Sequence, residues 1–383
     1  MESVHHVSTS SKILFGKVRK IVPPMLEKFH KGQLGRVAVI GGCVDPVFLG
    51  DGIGETRMRY GIAGTMSFCH GTLTTIIQSH VLCERSAAPV VKSYSPNLMV
   101  HPILPSVDTV KDPKSIDAPS LASPIISMLS RLHALVIGPG LGRDEVTLKV
   151  VAEVIKEART QSIPFVLDAD GLLIVTENPD LVKGYKQCIL TPNVVEFGRL
   201  AKALGIKVAS QADIAKSGQD GDKTSKESEA CEQLSKALGG VTIIQKGSHD
   251  VISNGFASII SDIQGGLKRS GGQGDTLTGS LGTMLAWRAA YHARMWDSSE
   301  KDNDKEAENK DDVRAELEDE NKRMSPATTL LLAAWAGSAI TRECSRRAFE
   351  AKGRSMQASD LTDEVHGSFV RLIGEPEASK THL

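Results

Sequence analysis

Five short apolar runs, each stopping at glycine, proline or a polar residue, constrain this chain more than any other feature. Val37–Ile40 stops at Gly41-Gly42, and Ala134–Ile137 at Gly138-Pro-Gly-Leu-Gly142. Phe165–Leu167 stops at Asp168-Ala-Asp170-Gly171, Cys188–Leu190 at Thr191-Pro-Asn193, and Val241–Ile244 at Gln245-Lys246-Gly247. Runs so short and so wholly apolar read as strands covered on both faces. A helical pattern usually follows each one, which is the rhythm of a parallel, doubly wound α/β sheet. Ligands in such sheets bind beyond the carboxyl ends of the strands, so every terminus named above would face one crevice. Ordinary strand-to-helix turns share this composition, and only the common placement of these termini singles them out.

Charge and cysteine usage remove other classes. Lys and Arg number 45 against 46 Asp and Glu, with no basic excess of the kind nucleic acid requires. No run of about 18 apolar residues occurs, so no transmembrane helix is expected. Cys43, Cys69, Cys83, Cys188, Cys231 and Cys344 stand singly, without the spacing of a zinc site or a disulfide framework. Residues 1–25 lack the apolar core of a secretory signal but hold four Lys/Arg against one acid. The cytosol is the expected compartment, with a mitochondrial pool as the alternative. Small molecules are the expected partners; a homo-oligomer stays open.

Two stretches read as insertions. Residues 210–230 are rich in Ser, Lys, Asp and Gly, and residues 297–323 carry twelve acids and six bases with hardly an apolar side chain. The second lies between expected helices at 276–295 and 326–352, and reads as a solvated, disordered loop.

The strongest chemical signal is Ser270-Gly-Gly-Gln-Gly-Asp-Thr-Leu-Thr-Gly-Ser280. A glycine cluster running into a small-residue helix offers free N–H groups and a partial positive charge to an anion, with no side chain in between. Asp275 at that helix start could take a proton from a hydroxyl while the amides stabilise charge on a transferring phosphoryl group. It could equally be a helix cap. The chain has no P-loop. Gly138-Pro-Gly140-Leu-Gly142 only superficially resembles a dinucleotide fingerprint. Gly50-Asp-Gly52-Ile-Gly54 follows no good strand and reads as chance.

Asn193-Val-Val-Glu196 follows Thr191-Pro192 and puts two polar side chains on one face of a starting helix. Glu196 could hold Mg²⁺ through water, or the pair could close a capping box. Lys246-Gly247 could set an ammonium against a nucleotide. Asp168 and Asp170 close another strand and could serve a metal or the structure.

With these elements in order, the chain resembles the ATP-dependent NAD(P)H-hydrate dehydratases, carbohydrate-kinase-domain repair enzymes of the ribokinase-like superfamily. The resemblance rests on Lys31–Gly42, His80–Glu84, Ser93–Pro102, Val136–Asp144, Leu167–Leu172, Ile189–Phe197, Gly271–Asp275, and Ala348–Arg354 with Ala358–Asp360. It implies a three-layer sandwich over residues 11–375, with a mostly parallel central sheet, flanked by tails at 1–10 and 376–383. It implies that ATP phosphorylates the hydroxyl of hydrated NADH or NADPH, phosphate leaves, and the reduced cofactor returns with ADP. Asp275 would be the base and would touch the hydrated cofactor. Lys246, Gly247, Ser248, His249 and Asp250 would line the ATP site, together with Gly265, Gly266, Leu267, Lys268, Arg269, Ser270, Gly271, Gly272, Gln273 and Gly274. Gly140, Gly142, Asn193, Val194, Val195, Glu196, Phe197, Gly198 and Arg199 would contact the hydrated cofactor, with Mg²⁺ held near Glu196 and the ATP phosphates.

Residues 43–78 depart from the family pattern: neither its Gly-Ala-Pro element nor a clean amphipathic helix is present. The segment reads as a misjoined stretch of gene or a divergent lid. Two other readings compete with the dehydratase. One is a small-alcohol kinase of the same fold, the other a non-catalytic nucleotide-binding relative.

Overall fold

The computed structural model describes residues 5–6, 11–30, 32–42, 77–206, 220–296, 313–319 and 322–374. Its centre is a sheet of strands β1 (His5–His6), β2 (Gly35–Ile40), β3 (Ile77–Leu82), β4 (Met99–His101), β5 (Ala134–Ile137) and β6 (Phe165–Leu167). β7 (Cys188–Leu190), β8 (Thr242–Gln245), β9 (Asp250–Ser253) and β10 (Ala257–Ser261) complete it. The spatial order is β1-β10-β9-β8-β7-β6-β5-β2-β3-β4. β9 runs antiparallel to both its neighbours, and the remaining pairs are parallel.

Side-chain alternation explains why the apolar runs are continuous. Val37, Val39, Val136, Val166 and Ile189 enter one core with the helices Ser11–Ile21, Gln273–His292 and Pro326–Lys352. Ala38, Ile40, Leu135, Ile137, Phe165 and Leu167 enter the other, beneath Ala118–Leu129, Glu145–Thr160 and Val194–Ala203. Successive residues of a strand point to opposite faces, so covering both faces demands an apolar residue at every position.

The helix expected at 276–295 runs Gln273–His292, and the one expected at 326–352 is Pro326–Lys352. Ser325 caps the latter by accepting from Thr328 N, and Pro326 occupies a first-turn position that needs no N–H. Of the charged insertion, residues 297–312 lie outside the described residues. Its end corrects the expectation of a solvated loop: Val313–Glu318 is helical, with Val313 and Leu317 buried. Two apolar side chains four residues apart supply one helix stripe, enough to dock this turn despite its charge. Of the other insertion, residues 210–219 also lie outside, and residues 220–230 belong to the helix Asp220–Ala237.

Strand order reverses between β2 and β5: β3 and β4 lie to one side, β6, β7 and β8 to the other. In open α/β sheets the ligand crevice lies at such a reversal, beyond the carboxyl ends of the strands. Gly41-Gly42 and Gly138–Gly142 are the strand exits at this point.

Candidate active site at the carboxyl ends of the strands

The crevice floor is backbone packed on backbone. Gly42 N donates to Gly140 O at 2.7 Å, and a β-carbon on Gly41 would stand 2.0 Å from the carbonyl oxygen of Pro139. Gly140 and Gly142 have φ of +61° and +75°, and Gly142 N donates to Asp170 Oδ2 at 3.2 Å. The glycines thus serve a tight approach of two strand exits and leave a bare backbone surface toward the crevice.

Asp168 sits at the exit of β6, 3% exposed. Its Oδ1 accepts from Thr191 Oγ1 and from Lys246 Nζ, each at 2.7 Å. Ala169, next in sequence, has φ +47°, a left-handed conformation costly for a residue with a β-carbon. The turn is held by Gly171 N donating to Asp168 O at 2.9 Å. Lys246 N in turn donates to Pro192 O at 2.9 Å, tying the exit of β8 to that of β7.

The glycine-rich helix start closes the site. Gly272, at φ +96°, precedes the first turn, and Asp275 N donates back to Gly272 O at 3.1 Å. A β-carbon on Gly274 would lie 3.1 Å from Asp168 Oδ2 and 3.6 Å from Lys246 Nζ. Asp275 is 8% exposed. Burial, then the negative Asp168, push its carboxyl up to about 8 against the opposing pull of Lys246. The Lys246 ammonium is held above its usual range: Asp168, Glu196 and Asp275 outweigh its burial. Asp168 and Lys246 therefore meet at the start of the Asp275 helix, and the charges of Glu196 and Asp275 act on the same ammonium.

Asn193 and Glu196 close a reciprocal cap. Asn193 Oδ1 accepts from Val195 N and Glu196 N at 2.9 and 3.0 Å, while Glu196 Oε2 accepts from Asn193 N at 2.8 Å. Burial raises the Glu196 carboxyl, with Lys246 opposing. The capping and site readings of this pair are compatible, because the second carboxylate oxygen stays out of the cap. Val194, Val195, Gly198 and Arg199 are exposed, whereas Phe197 is buried in the core.

The stretch 246–250 divides. Ser248 and His249 form the turn between β8 and β9, with Arg342 donating to Ser248 O. The Asp250 carboxylate faces the interior, accepting from Gly247 N, Ser338 Oγ and Arg342 Nη1 at 3.1, 2.7 and 3.0 Å. Gly265 and Gly266 lie against Pro326–Lys352, where a β-carbon on Gly266 would stand 2.4 Å from Ser345 O. Lys268 Nζ is anchored on Arg354 O at 2.7 Å, Gln273 Nε2 bonds Lys268 O and Ser270 Oγ, and Leu267 is 82% exposed. Nothing would obstruct a β-carbon on Gly271.

Thr191 is not singled out by the sequence, and Asp168 is read there with Asp170 as serving a metal or the structure, without a place in either substrate site. Position at a strand exit is a signal shared with many ordinary turns.

The sequence model of the family described as NAD(P)H-hydrate dehydratase matches residues 64–366. An "ATP-dependent (S)-NAD(P)H-hydrate dehydratase" of Aspergillus fumigatus is 73% identical over 383 residues, covering 100% of both chains. That alignment runs through residues 43–78, of which 43–76 lie outside the described residues. The rat protein of the same name is 38% identical, covering 96% of this chain and 88% of its own. Among solved structures, a ribokinase-like superfamily protein from Enterococcus faecalis superposes with TM-score 0.59 at 14% identity, covering 98% and 100% of the two chains. The Bacillus subtilis ADP/ATP-dependent NAD(P)H-hydrate dehydratase, co-crystallized with ATP/Mg²⁺, gives 0.55 at 16% identity, covering 94% and 97%. The fold is thus ribokinase-like, and by the extent of the sequence match the chain belongs to the NAD(P)H-hydrate dehydratase family.

Proposed function

We propose that this chain uses ATP to dehydrate (S)-hydrated NADH and NADPH, returning the reduced cofactors with ADP and phosphate. Water added to the nicotinamide ring leaves a hydroxyl, which departs poorly; as a phosphate ester it departs readily, and loss of the proton on the neighbouring ring carbon restores the double bond. The work divides into binding two nucleotides head to head, taking one proton from the hydroxyl, and stabilising the moving phosphoryl charge.

The observation that carries this reading is Asp275, buried at the head of a glycine-led helix beside the Lys246–Asp168 pair. A carboxyl whose proton affinity is lifted to about 8 is matched to abstracting a proton near neutral pH. The free amides around Gly272–Gly274 would receive the phosphoryl oxygens. Gly265–Ser270 and the Lys246–His249 turn would take ATP; the bare glycine wall at Gly140 and Gly142, with Asn193–Arg199, would take the hydrated cofactor. Asp250 lies outside that contact set, since its carboxylate is committed to Ser338 and Arg342.

Mg²⁺ fits as a companion of the ATP phosphates. Among the described residues no group of three His, Cys, Asp or Glu could hold a metal alone. Glu196 keeps one carboxylate oxygen outside its cap and could hold the ion through water, as a cation reluctant to dehydrate prefers. Such an ion would neutralise charge on the phosphates.

The cytosol is the compartment we assign. Cys83, Cys188, Cys231 and Cys344 are free and buried, which suits a reducing environment. Among the described residues no helix is long and apolar enough to cross a membrane.

The test is the purified chain with ATP, Mg²⁺ and hydrated NADH. Return of the reduced-nicotinamide absorbance with stoichiometric phosphate is the expected result. A stable phosphate ester of another alcohol, with no NADH formed, would replace this reading by the kinase. ATP binding without turnover would replace it by a non-catalytic relative.

A further inference from the structure

We propose that Asp168 is a positioning residue for phosphoryl transfer: its carboxylate pins the Lys246 ammonium against the Gly274–Asp275 step, where phosphoryl group and hydroxyl would meet. The inference rests on the dehydratase reading above and gives Asp168 a role that reading leaves unassigned.

A lysine ammonium rides on four flexible bonds, and at a crevice mouth it would sample many positions. Here both ends are fixed. The backbone of Lys246 is tied to Pro192 O, and its Nζ lies 2.7 Å from Asp168 Oδ1. The carboxylate is itself held on more than one side. Thr191 Oγ1 donates to the same oxygen, Gly171 N holds the Asp168 carbonyl, and the side chain is 4% exposed. Both partners reach Gly274, the residue preceding Asp275, within 3.1 and 3.6 Å of where a β-carbon would stand. Any side chain at 274 would press on the pair, so the glycine lets ammonium, carboxylate and helix amides share one small volume. A buried ion pair is weak evidence for stability as such, since apolar replacements often do as well. Its position beside the proposed base is what a purely structural role leaves unexplained.

The experiment compares wild type, Asp168→Asn, Lys246→Met and the double variant in the NADH-return assay, with folding checked by thermal melting. Asp168→Asn is expected to lower kcat about 10²-fold while KM for ATP stays within about threefold, the split of an interaction made in the transition state. The double variant should be about as slow as Lys246→Met alone, because Asp168 acts through Lys246. The acid limb of the rate profile should move to lower pH in Asp168→Asn, since a like charge beside Asp275 is gone. A folded Asp168→Asn with wild-type kcat overturns the inference, as do losses that simply multiply in the double variant. If Asp168→Asn does not fold, Thr191→Val, which keeps the carboxylate and removes one of its donors, should lose about threefold to tenfold in kcat alone. An unchanged kcat there overturns the inference as well. Wild type that returns no NADH overturns the dehydratase reading instead, and is recognised before any variant is compared.

Discussion

A β-carbon on Gly138 would stand 1.8 Å from the carbonyl oxygen of Asp168. Gly138 also has φ +123°, a region closed to other residues, so two strand exits touch through it. Gly138→Ala is expected to destabilise the chain by about 3 kcal/mol or more, through backbone clash and a displaced β6 exit. Urea denaturation measures it. Loss of stability and of turnover should come together, because the displaced residue is Asp168.

Asp250 gathers Ser338, Arg342 and its own turn at Gly247, tying β9 to the long helix Pro326–Lys352. Asp250→Ala takes the carboxylate from the Arg342 guanidinium, which keeps the Ile263 and Ser248 carbonyls, and takes the acceptor from the buried Ser338 hydroxyl, at a cost of about 3 kcal/mol. A lowered melting temperature, with ATP affinity of the remaining folded protein kept within about threefold, is the expected pattern. A specific loss of ATP binding at full stability would return Asp250 to the nucleotide site.

Asp275 sets opposite demands on activity and stability. As a base it works ionised, so kcat/KM should rise with pH through an apparent pKa near 8. Its carboxyl in the unfolded chain ionises near 3.8, lower than in the folded state. Between these values the folded state holds a proton that the unfolded state has released. The group's stabilising contribution is therefore complete below about 4 and lost as pH climbs through about 8. Asp275→Asn should cut turnover by about 10² or more, keep ATP affinity, and be more stable than wild type above pH 8. Denaturant titrations at pH 5 and 8.5 read the second effect; equal stability of the two proteins at pH 8.5 would refute it.

Asn193 and Glu196 separate by substitution. Asn193→Ala removes the acceptor for two helix-start amides and should cost about 1 kcal/mol of stability. Glu196→Gln keeps an oxygen able to accept from Asn193 N but removes the charge. It should leave the melting temperature nearly unchanged while raising the Mg²⁺ concentration needed for half-maximal rate about tenfold. An unaltered Mg²⁺ dependence would leave Glu196 with the cap alone.

The architecture was legible because burying both faces of a strand forces an apolar residue at every position. Phe165–Leu167, Cys188–Leu190 and Ala134–Ile137 match the expected bounds, and the strand expected at 241–244 begins one residue later. The helix start that carries Asp275 was legible too, since a glycine cluster entering a helix is a local signature. The docked helix Val313–Glu318 was not, because two apolar residues in an acidic run carry little weight without the groove that receives them. Nor was the inward turn of Asp250, whose partners lie 88 and 92 residues away.

Local order along the chain determined the strands, the helix starts, the glycine hinges and the acid that heads the last long helix before the insertion. Each depends on neighbours within a few positions, where propensity and capping act. Tertiary structure alone decided that Asp168, Thr191, Lys246 and Gly274 meet, for they sit on three different strand exits and one helix, up to 106 positions apart (274 against 168). A carboxylate's neighbours set its charge and its use, and those neighbours exist only once the sheet has closed.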